Sequence, residues 1–220
     1  MAAARTTQTS PFLLSLVSIS LLLLQAISVV DCNKDQDSND ATDFIRTNCN
    51  ATLYPDVCYS SLSRYANTIQ QSPAKLARVA VAVSLSRARR IAAYITNLSR
   101  QPNSAAFDTE TAAVLKDCSS TFGDAIDQMR RSNTEMIHLD LTSHSQESLR
   151  FQMSNVQTWM SAALTNEDTC TDEFGDLPDE SVKSDVCERV VYGRKLTSNA
   201  LAMVNRFVAA TEADAPATTP

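Results

Sequence analysis

The residues of this chain best suited to covalent chemistry are its six cysteines, at positions 32, 49, 58, 118, 170 and 187. Cys49 and Cys58 are nine positions apart in the polar stretch FIRTNCNATLYPDVCYSSL, and this spacing predicts a small disulfide clip. Cys32 is so close to a candidate signal cleavage site that it is either removed or left in an N-terminal tail. The remaining five suggest two bridges and one free thiol, but counting alone does not decide which cysteines pair.

The other groups that could support catalysis or metal binding give little indication of either. The sequence contains no H-E-x-x-H, no G-x-S-x-G and no glycine-rich phosphate loop. Its two histidines, His138 and His144, fall in a predicted polar loop and are expected to be solvated. Cys187 follows Val186 and shares a helical face with Val190, which favours a buried structural thiol over a reactive one. We therefore expect a protein without metal or cofactor that is not an enzyme.

The first 28 residues have the features of a secretory signal peptide. An apolar run covers Phe12–Leu24, and Ala26 and Ser28 supply the small residues that signal peptidase needs. The alternative is an uncleaved anchor helix over Phe12–Val30, which the serines within it disfavour. We expect residues 1–28 to be removed, and no later segment is apolar enough to cross a membrane. Two N-glycosylation sequons, at Asn50 and Asn97, agree with secretion.

Composition and periodicity predict an all-α fold. The chain has only three glycines among 220 residues, which leaves little material for tight β-hairpins. Its net charge of −6 disfavours nucleic acid and anionic membranes as partners. Apolar residues recur every three or four positions in four long segments, which are Pro73–Ser99, Asp108–Ser132, Gln146–Thr165 and Glu180–Ala209.

Four helices joined by short connections are expected to pack as antiparallel neighbours in an up-down four-helix bundle. The bundle is predicted over residues 73–210, after a short disulfide-clipped helical hairpin over residues 41–72. We expect Met136–Ser145 to be a polar loop, and residues 211–220 to be a disordered Ala/Thr/Pro tail.

One exposed face can be predicted on the second bundle helix. At about 100° per residue, an apolar group lies on one side of the helix and a polar group on the other. The apolar group is Cys118, Phe122, Ala125, Ile126 and Met129, and the polar group is Ser120, Asp124, Asp127 and Arg131. Asp124 and Asp127, one turn apart, therefore form an exposed acidic stripe. For an arbitrary bundle such a stripe is more often merely solvated than a binding site.

These residues resemble a known family. The pattern F-I-x-x-x-C-x-A-T-x-Y-P-x-x-C in Phe44–Cys58, with SLSRYANTIQQSPAKLA in Ser61–Ala77 and VQTWMSAALTNEDTC in Val156–Cys170, is similar to the plant pectin methylesterase inhibitor and invertase inhibitor family. The resemblance extends from Phe44 to Phe207. It implies disulfides Cys49–Cys58 and Cys118–Cys170, with Cys187 free.

The resemblance also implies a function and a binding site. It implies a protein of the apoplast and cell wall that forms a one-to-one complex with pectin methylesterase and blocks the substrate cleft of that enzyme. Acidic residues after the third cysteine and just after the fourth contribute to that contact in pectin methylesterase inhibitors. The matching positions here are Asp124, Asp127 and Asp172, and Thr169 before Cys170 also resembles a contact position.

Two other functions stay open from the sequence. Some invertase inhibitors of the family carry a Pro-Lys-Phe tripeptide between the third and fourth cysteines, and this chain has no proline between Cys118 and Cys170. That absence favours pectin methylesterase over acid invertase as the target. The other possibility is a structural or ligand-carrying bundle of the cell wall. The chain also resembles the pro-region of some pectin methylesterases, but it ends after the bundle, so we expect it to act in trans.

Two smaller features of the bundle have competing interpretations. Trp159 and Met160 occur at core spacing, which favours packing over partner contact for the tryptophan. Arg87, Arg89 and Arg90 form a basic cluster on the first bundle helix, where a solvated face is favoured over a pectin-binding patch.

Overall fold

The computed structural model describes residues 39–100, 107–141, 145–175, 177 and 180–213. The predicted signal peptide, Cys32, most of the predicted tail and His144 lie outside the described residues. Within them the protein is helical, as the sequence predicts, and no described helix is both long enough and apolar enough to cross a membrane.

In the described part of the chain, three short helices precede four long ones. The short helices are α1 (residues 39–49), α2 (Pro55–Leu62) and α3 (Ala66–Ile69), with a 3-10 turn at Ser63–Tyr65 between the last two. The long helices are α4 (Pro73–Arg100), α5 (Thr109–Leu141), α6 (Gln146–Glu173) and α7 (Glu180–Ala213). All four predicted bundle helices are therefore present.

The long helices form a four-membered bundle in which α4 packs on α5 and α7, and α6 packs on the same two helices. Neighbours run antiparallel, as the side-chain contacts between α6 and α7 illustrate. The Gln146 amide donates to the Thr211 carbonyl at 3.1 Å, whereas Asp168, further along α6, pairs with Arg194, further back along α7. The bundle closes because each helix buries one apolar stripe in a shared core.

The hairpin of α1 and α2 lies against the α4 and α7 side of the bundle. Pro55 begins α2, where its fixed backbone angle and missing N–H are tolerated. The Asn199 amide donates to the carbonyl of Tyr54 at 3.0 Å, and Arg206 donates to the Asn48 side chain at 3.1 Å. These contacts attach both parts of the hairpin to α7.

The starts of α5 and α6 are capped by polar side chains. The carboxylate of Asp108 accepts from the backbone N–H of Thr111 at 2.7 Å, and the hydroxyl of Ser145 accepts from the N–H of Ser148 at 3.2 Å. Such caps satisfy backbone donors that the helix itself leaves without partners.

The predicted loop Met136–Ser145 is wrong over its first six residues, because α5 continues to Leu141. Met136 is buried in the core, about two helical turns after the buried Met129 and one turn after the buried Ser132. The third bundle helix is likewise longer than predicted and ends at Glu173, since Glu167 and Cys170 also face the core. Polar residues within the core stripe caused both predictions to stop early.

The described residues contain two disulfides, Cys49–Cys58 and Cys118–Cys170, which is the pairing that the family resemblance implies. The first closes the turn between α1 and α2, and the second joins α5 to the last turn of α6. By the chain-entropy relation, closing the short loop stabilises the fold by about 2.7 kcal/mol and closing the long loop by about 4.2 kcal/mol. All four cysteines are fully buried.

The two helical glycines of the bundle differ in their surroundings. A Cβ added to Gly193 of α7 would lie 2.6 Å from Cδ1 of Ile91 and 3.5 Å from Oε1 of Glu167. A Cβ added to Gly123 of α5 would have no neighbour within 4 Å. At Gly193, α7 therefore lies close to side chains of α4 and α6, whereas Gly123 lies on an open surface.

We expect Gly123→Ala and Gly193→Ala to change stability in opposite directions. Alanine at 123 should raise the free energy of unfolding by about 0.5–1 kcal/mol, because it improves helix propensity without a clash. Alanine at 193 should lower it by about 1 kcal/mol, because overpacking against Ile91 outweighs the same gain. Urea unfolding followed by far-UV circular dichroism measures both, and stabilisation by Gly193→Ala would contradict the close approach of α7.

Candidate functional site

The predicted division of α5 into a buried and an exposed face is confirmed by burial. Phe122, Ala125 and Met129 are fully buried, and Ile126 is half-buried against the core. The four polar residues predicted on the other side, Ser120, Asp124, Asp127 and Arg131, are all exposed. The acidic stripe is therefore accessible along the outside of the bundle.

The seam between α5 and α6 is fixed by covalent and polar contacts. Cys118 is bonded to Cys170 with their Cα atoms 4.5 Å apart, and the Asn166 amide donates to the Gln128 side chain at 3.1 Å. These contacts place the first half of α5 beside the last turns of α6. The outer edge of this seam, carrying Asp124, Asp127, Thr169 and Asp172, is called the α5/α6 face below.

Helical geometry orders the residues of the α5/α6 face. Asp124 lies on the same side of α5 as Gln128, and Thr169 lies on the same side of α6 as Asn166, so both border the seam. Asp127 and Asp172 point more directly away from the core. Asp172 lies near the level of Cys118, and at 1.5 Å per residue Asp127 is about 15 Å further along α5. The four residues therefore form a strip and not one compact cluster.

The polar side chains of this strip differ in whether they already form hydrogen bonds or ion pairs within the protein. Asp127 pairs with Arg130 at 2.6 Å on the same helix, and both side chains are more than half exposed. Thr169 donates its hydroxyl to the carbonyl of Thr165 at 3.0 Å. Asp124 and Asp172 are exposed and make no ion pair with a described residue. Carboxylates arranged in this way can accept hydrogen bonds from a cationic partner across the strip.

Sequence reasoning missed one acidic group at the same end of the seam. Glu173, in the last turn of α6, is near Asp117 of α5, and burial followed by repulsion from Asp117 raises the pKa of its carboxyl. The spacing from Cys170 could have indicated it, because Glu173 follows by three residues and so borders the same seam. The negative charge of this end thus comes from both helices.

Trp159 is only half-buried, whereas the adjacent Met160 is fully buried. Trp159 lies two turns before Asn166 on the flank of α6 that faces α5. The expectation that it packs in the core is therefore wrong in degree, because part of its side chain remains at the surface.

The free thiol is less enclosed than predicted. Cys187 is half-buried and lines a surface groove beside α7, while its neighbours Val186 and Val190 are fully buried. Partial burial raises the pKa of its thiol, and Lys183 opposes that shift. The protonated thiol is thereby favoured, which keeps Cys187 a poor nucleophile.

Metal-binding groupings do not occur in the described part of the chain, where no three His, Cys, Asp or Glu residues lie close enough together to hold an ion. His138 is not in a loop, as predicted, but in the last turn of α5, where it is exposed. The reason is the extension of α5 to Leu141. Both sequon asparagines, Asn50 and Asn97, have exposed side chains.

A buried carboxylate lies inside the bundle, between α6 and α7. Glu167 is fully buried, and neither of its carboxylate oxygens has a hydrogen-bond partner among the described residues. The nearby Thr197 hydroxyl donates to the Gly193 carbonyl at 3.2 Å, and Arg194 pairs with Asp168. Burial raises the pKa of Glu167 to about 8, and the influence of Thr197 and Arg194 in the opposite direction is smaller.

Comparisons with known proteins identify the chain as an inhibitor-type bundle. The profile of the family described as "Plant invertase/pectin methylesterase inhibitor" matches residues 43–203. The chain belongs to this family. The expectation that it is not an enzyme is confirmed by this membership, because the family consists of inhibitors.

Individual relatives and a solved structure agree with the family. The chain is 40% identical to "21 kDa protein" of Daucus carota over 87% of this chain and 93% of that protein. It is 39% identical to "Pectinesterase inhibitor 11" of Arabidopsis thaliana over 77% of this chain and 83% of that one. The crystal structure of a mutant form of an Arabidopsis pectin methylesterase inhibitor superposes with a TM-score of 0.56, covering 71% of this chain and 92% of that chain. At 20% identity, this superposition shows the shared fold.

The stability of the fold is expected to decrease between about pH 4.5 and pH 8 because of Glu167. Below its ordinary pKa of 4.5 the residue is protonated in both the folded and unfolded chain. Above that pH the unfolded chain releases a proton that the folded chain keeps until about pH 8. The free energy of unfolding should therefore fall by up to about 1.4 kcal/mol per pH unit in this window.

Glu167→Gln should reduce that slope and make the protein more stable than the wild type at pH 7–8. Urea unfolding at pH 5, 6, 7 and 8 measures the effect. Glu188→Gln, which alters an exposed glutamate of α7, is the matched control and should leave the slope unchanged. An equal pH slope in the wild type and in Glu167→Gln would show that Glu167 does not hold its proton in the folded state.

Proposed function

We propose that this protein is a secreted inhibitor of pectin methylesterase that binds the enzyme through the α5/α6 face. The observation that supports this most is that exposed carboxylates lie along a seam whose two helices are joined by a disulfide. The chain also belongs to a family of invertase and pectin methylesterase inhibitors. Asp124, Asp127, Thr169 and Asp172 are the proposed contact residues. The extracellular space and plant cell wall are the proposed location, with residues 1–28 as the secretory signal.

The proposed mechanism is steric exclusion and not chemistry on the substrate. Pectin methylesterase must admit a long polysaccharide into an open groove, and a rigid bundle across that groove excludes it. A one-to-one interface of standard size, about 1,600 Å² in total, is sufficient for a stable complex. The α5/α6 face suits this role because the Cys118–Cys170 bond holds its two helices in one arrangement, so little freedom is lost on binding.

The exposed carboxylates would contribute mainly orientation and speed of association. Opposite charges across an interface steer the encounter and fix the register, while each solvent-exposed pair adds little affinity. Asp127 must also share its charge with Arg130, and Asp124 has no such competitor among the described residues. Asp124 is therefore the more available of the two.

Acid invertase is the competing target, because the family description includes invertase inhibitors. No proline lies between Cys118 and Cys170, so the Pro-Lys-Phe tripeptide of some invertase inhibitors is absent. Most of this interval is occupied by α5 and α6 themselves. Glycosylation at Asn50 and Asn97 would be compatible with either target, since both side chains are exposed and neither residue belongs to α5 or α6.

Titration of the purified, oxidised chain without residues 1–28 tests the target. We expect pectin methylesterase activity to fall to near zero at about one equivalent of inhibitor, and acid invertase assayed in parallel to keep its activity. Loss of invertase activity alone would replace the proposed target. Loss of neither activity, with enzymes from several plant tissues, would remove inhibition as the function.

The contact face is tested by charge removal. Asp124→Ala should raise the inhibition constant about two- to fivefold, and Asp124→Ala with Asp127→Ala should raise it about tenfold. The control is Asp43→Ala with Asp56→Ala, which removes two exposed aspartates from the hairpin on the other side of the bundle. An unchanged inhibition constant for the Asp124/Asp127 variant, or an equal rise for the control, would exclude the α5/α6 face as the contact.

A further inference from the structure

Arginine side chains line a groove on the side of the bundle away from the α5/α6 face. The groove lies between the outer surface of α4 and the 3-10 turn and α3, and has a volume of about 370 Å³. Its charged residues are Arg64, Arg78 and Arg90, and none of the described residues that line it is an aspartate or glutamate. The described lining of the groove is therefore positively charged, although the net charge of the chain is −6.

The groove also has the polar and apolar surfaces of a ligand site. Thr68, Ser86 and Tyr65 place hydroxyl groups along it, and Val79, Ala82 and Val83 form its apolar floor. Ser86 accepts from Nη1 of Arg90 at 3.2 Å, which orients that guanidinium. The guanidinium of Arg64 stacks on the ring of Tyr65 at 5.0 Å. A volume of this size falls in the range of small-ligand sites, about 300–1,000 Å³.

Positive charge continues along the seam of α4 and α7. Arg90 also lines a small adjoining cavity with Arg87 and Arg189, and these two arginines line a larger groove of about 670 Å³ that reaches Lys195. The second groove contains two acidic residues, Asp185 and Glu188. Asp185 is already engaged, because it pairs with Arg189 at 3.0 Å and accepts from the hydroxyl of Tyr94.

The crowding of these cations is visible at Arg87. Burial is the main cause that lowers the pKa of its guanidinium, and the positive charges of Arg90 and Arg189 lower it further. The Nε atom of Arg87 is buried and has no hydrogen-bond partner among the described residues. We call Arg64, Arg78, Arg87, Arg90 and Arg189 the arginine track. From Arg78 to Arg90 it extends about 18 Å along α4 at about 1.5 Å per residue. An extended anion with regularly spaced charges would therefore match it better than a single small ion.

We propose that this arginine track binds an acidic polysaccharide with a carboxylate on each sugar, that is, a polyuronate. A planar guanidinium pairs with a carboxylate through two parallel hydrogen bonds, the groove hydroxyls can bond sugar hydroxyls, and the apolar floor can contact the ring faces. The arginines of the groove support an anionic ligand, whatever its chemical class. The choice of a polyuronate rests on the proposed function, since removal of methyl esters from pectin exposes such carboxylates.

Binding to a fluorescently labelled oligogalacturonide of about ten sugars, measured by anisotropy, tests the proposal. We expect the oxidised chain to bind at about 0.01 M ionic strength and to bind at least tenfold more weakly at about 0.15 M, because screening shortens the reach of exposed charges. The fully methyl-esterified oligomer should not bind. Equal binding of the esterified and free forms would overturn the proposal, as would no binding of the free form at low salt.

Variants separate the arginine track from net charge. R64A/R78A/R90A should weaken oligogalacturonide binding about tenfold or more, and R64K/R78K/R90K should recover only part of it because lysine lacks the paired donors. The control R89A/R100A/R131A removes the same charge from exposed positions that line none of the three cavities and should change binding less than twofold. An equal loss of oligogalacturonide binding in the control would show that net charge explains the effect, and would contradict the proposed binding by the arginine track.

Further measurements distinguish loss of polysaccharide binding from misfolding, from binding of another ligand and from loss of the proposed inhibition. Because Arg78 is half-buried, the variant R64A/R90A alters only exposed residues and should still weaken binding several-fold. Inhibition of pectin methylesterase, measured on the same proteins, should be unchanged by R64A/R78A/R90A, so loss of one activity does not imply loss of the other. Two results would replace the polysaccharide as the ligand. One is binding to vesicles that contain phosphatidylserine but not to oligogalacturonide. The other is concentration-dependent dimerisation that R64A/R78A/R90A abolishes, in a protein that does not bind oligogalacturonide.

Discussion

The bond between Cys118 and Cys170 is the constraint on which the candidate site depends. Four amphipathic helices can bury their apolar stripes at several neighbouring registers, because sliding one helix by a turn exchanges one apolar residue for another. A covalent link between α5 and the last turn of α6 excludes such slips for this pair. The seam residues of both helices then keep fixed positions relative to each other. A surface built from two separate helices can thereby be as well ordered as one built on a single element.

Near the Cys118–Cys170 bond, the core of the bundle contains a buried carboxyl group. Glu167 lies one turn before Cys170 and is fully buried, although its carboxylate lacks hydrogen-bond partners among the described residues. Burying a carboxyl in this way is tolerable when it is protonated, which is the form that the raised pKa favours. Gly193 lies beside it, where an added Cβ would crowd Ile91 at 2.6 Å and come into ordinary contact with Oε1 of Glu167 at 3.5 Å. Stability and pH are therefore linked at the centre of the bundle through Glu167.

Much of the fold could be predicted from sequence, since the four long helices have clear apolar periodicity and few competing signals. The predicted ends failed where polar residues continue the core stripe, as at Ser132 before Met136 in α5 and at Glu167 before Cys170 in α6. Exposure of Asp124 and Asp127 followed from periodicity alone, because it needs only the direction of one helix. The ion pair of Asp127 with Arg130, the half-exposed Trp159 and the groove around Arg78 and Arg90 could not be predicted, because they depend on side-chain conformations and on where the hairpin docks.

The order of packing places the two proposed binding surfaces on opposite sides of the molecule. In a four-membered ring where α4 contacts α5 and α7, the α5/α6 seam and the α4/α7 seam face away from each other. The carboxylate strip lies on the first, and the arginine track lies on α4 and along the second. If the two surfaces were close together, their opposite charges would weaken each other's electric field. The bundle is about two helix diameters wide, or about 20 Å, which exceeds the Debye length at physiological ionic strength. If both proposals hold, an enzyme bound on one side would leave the other side open to a polyanion, and binding to a wall polyuronate would raise the local concentration of this protein near its proposed target.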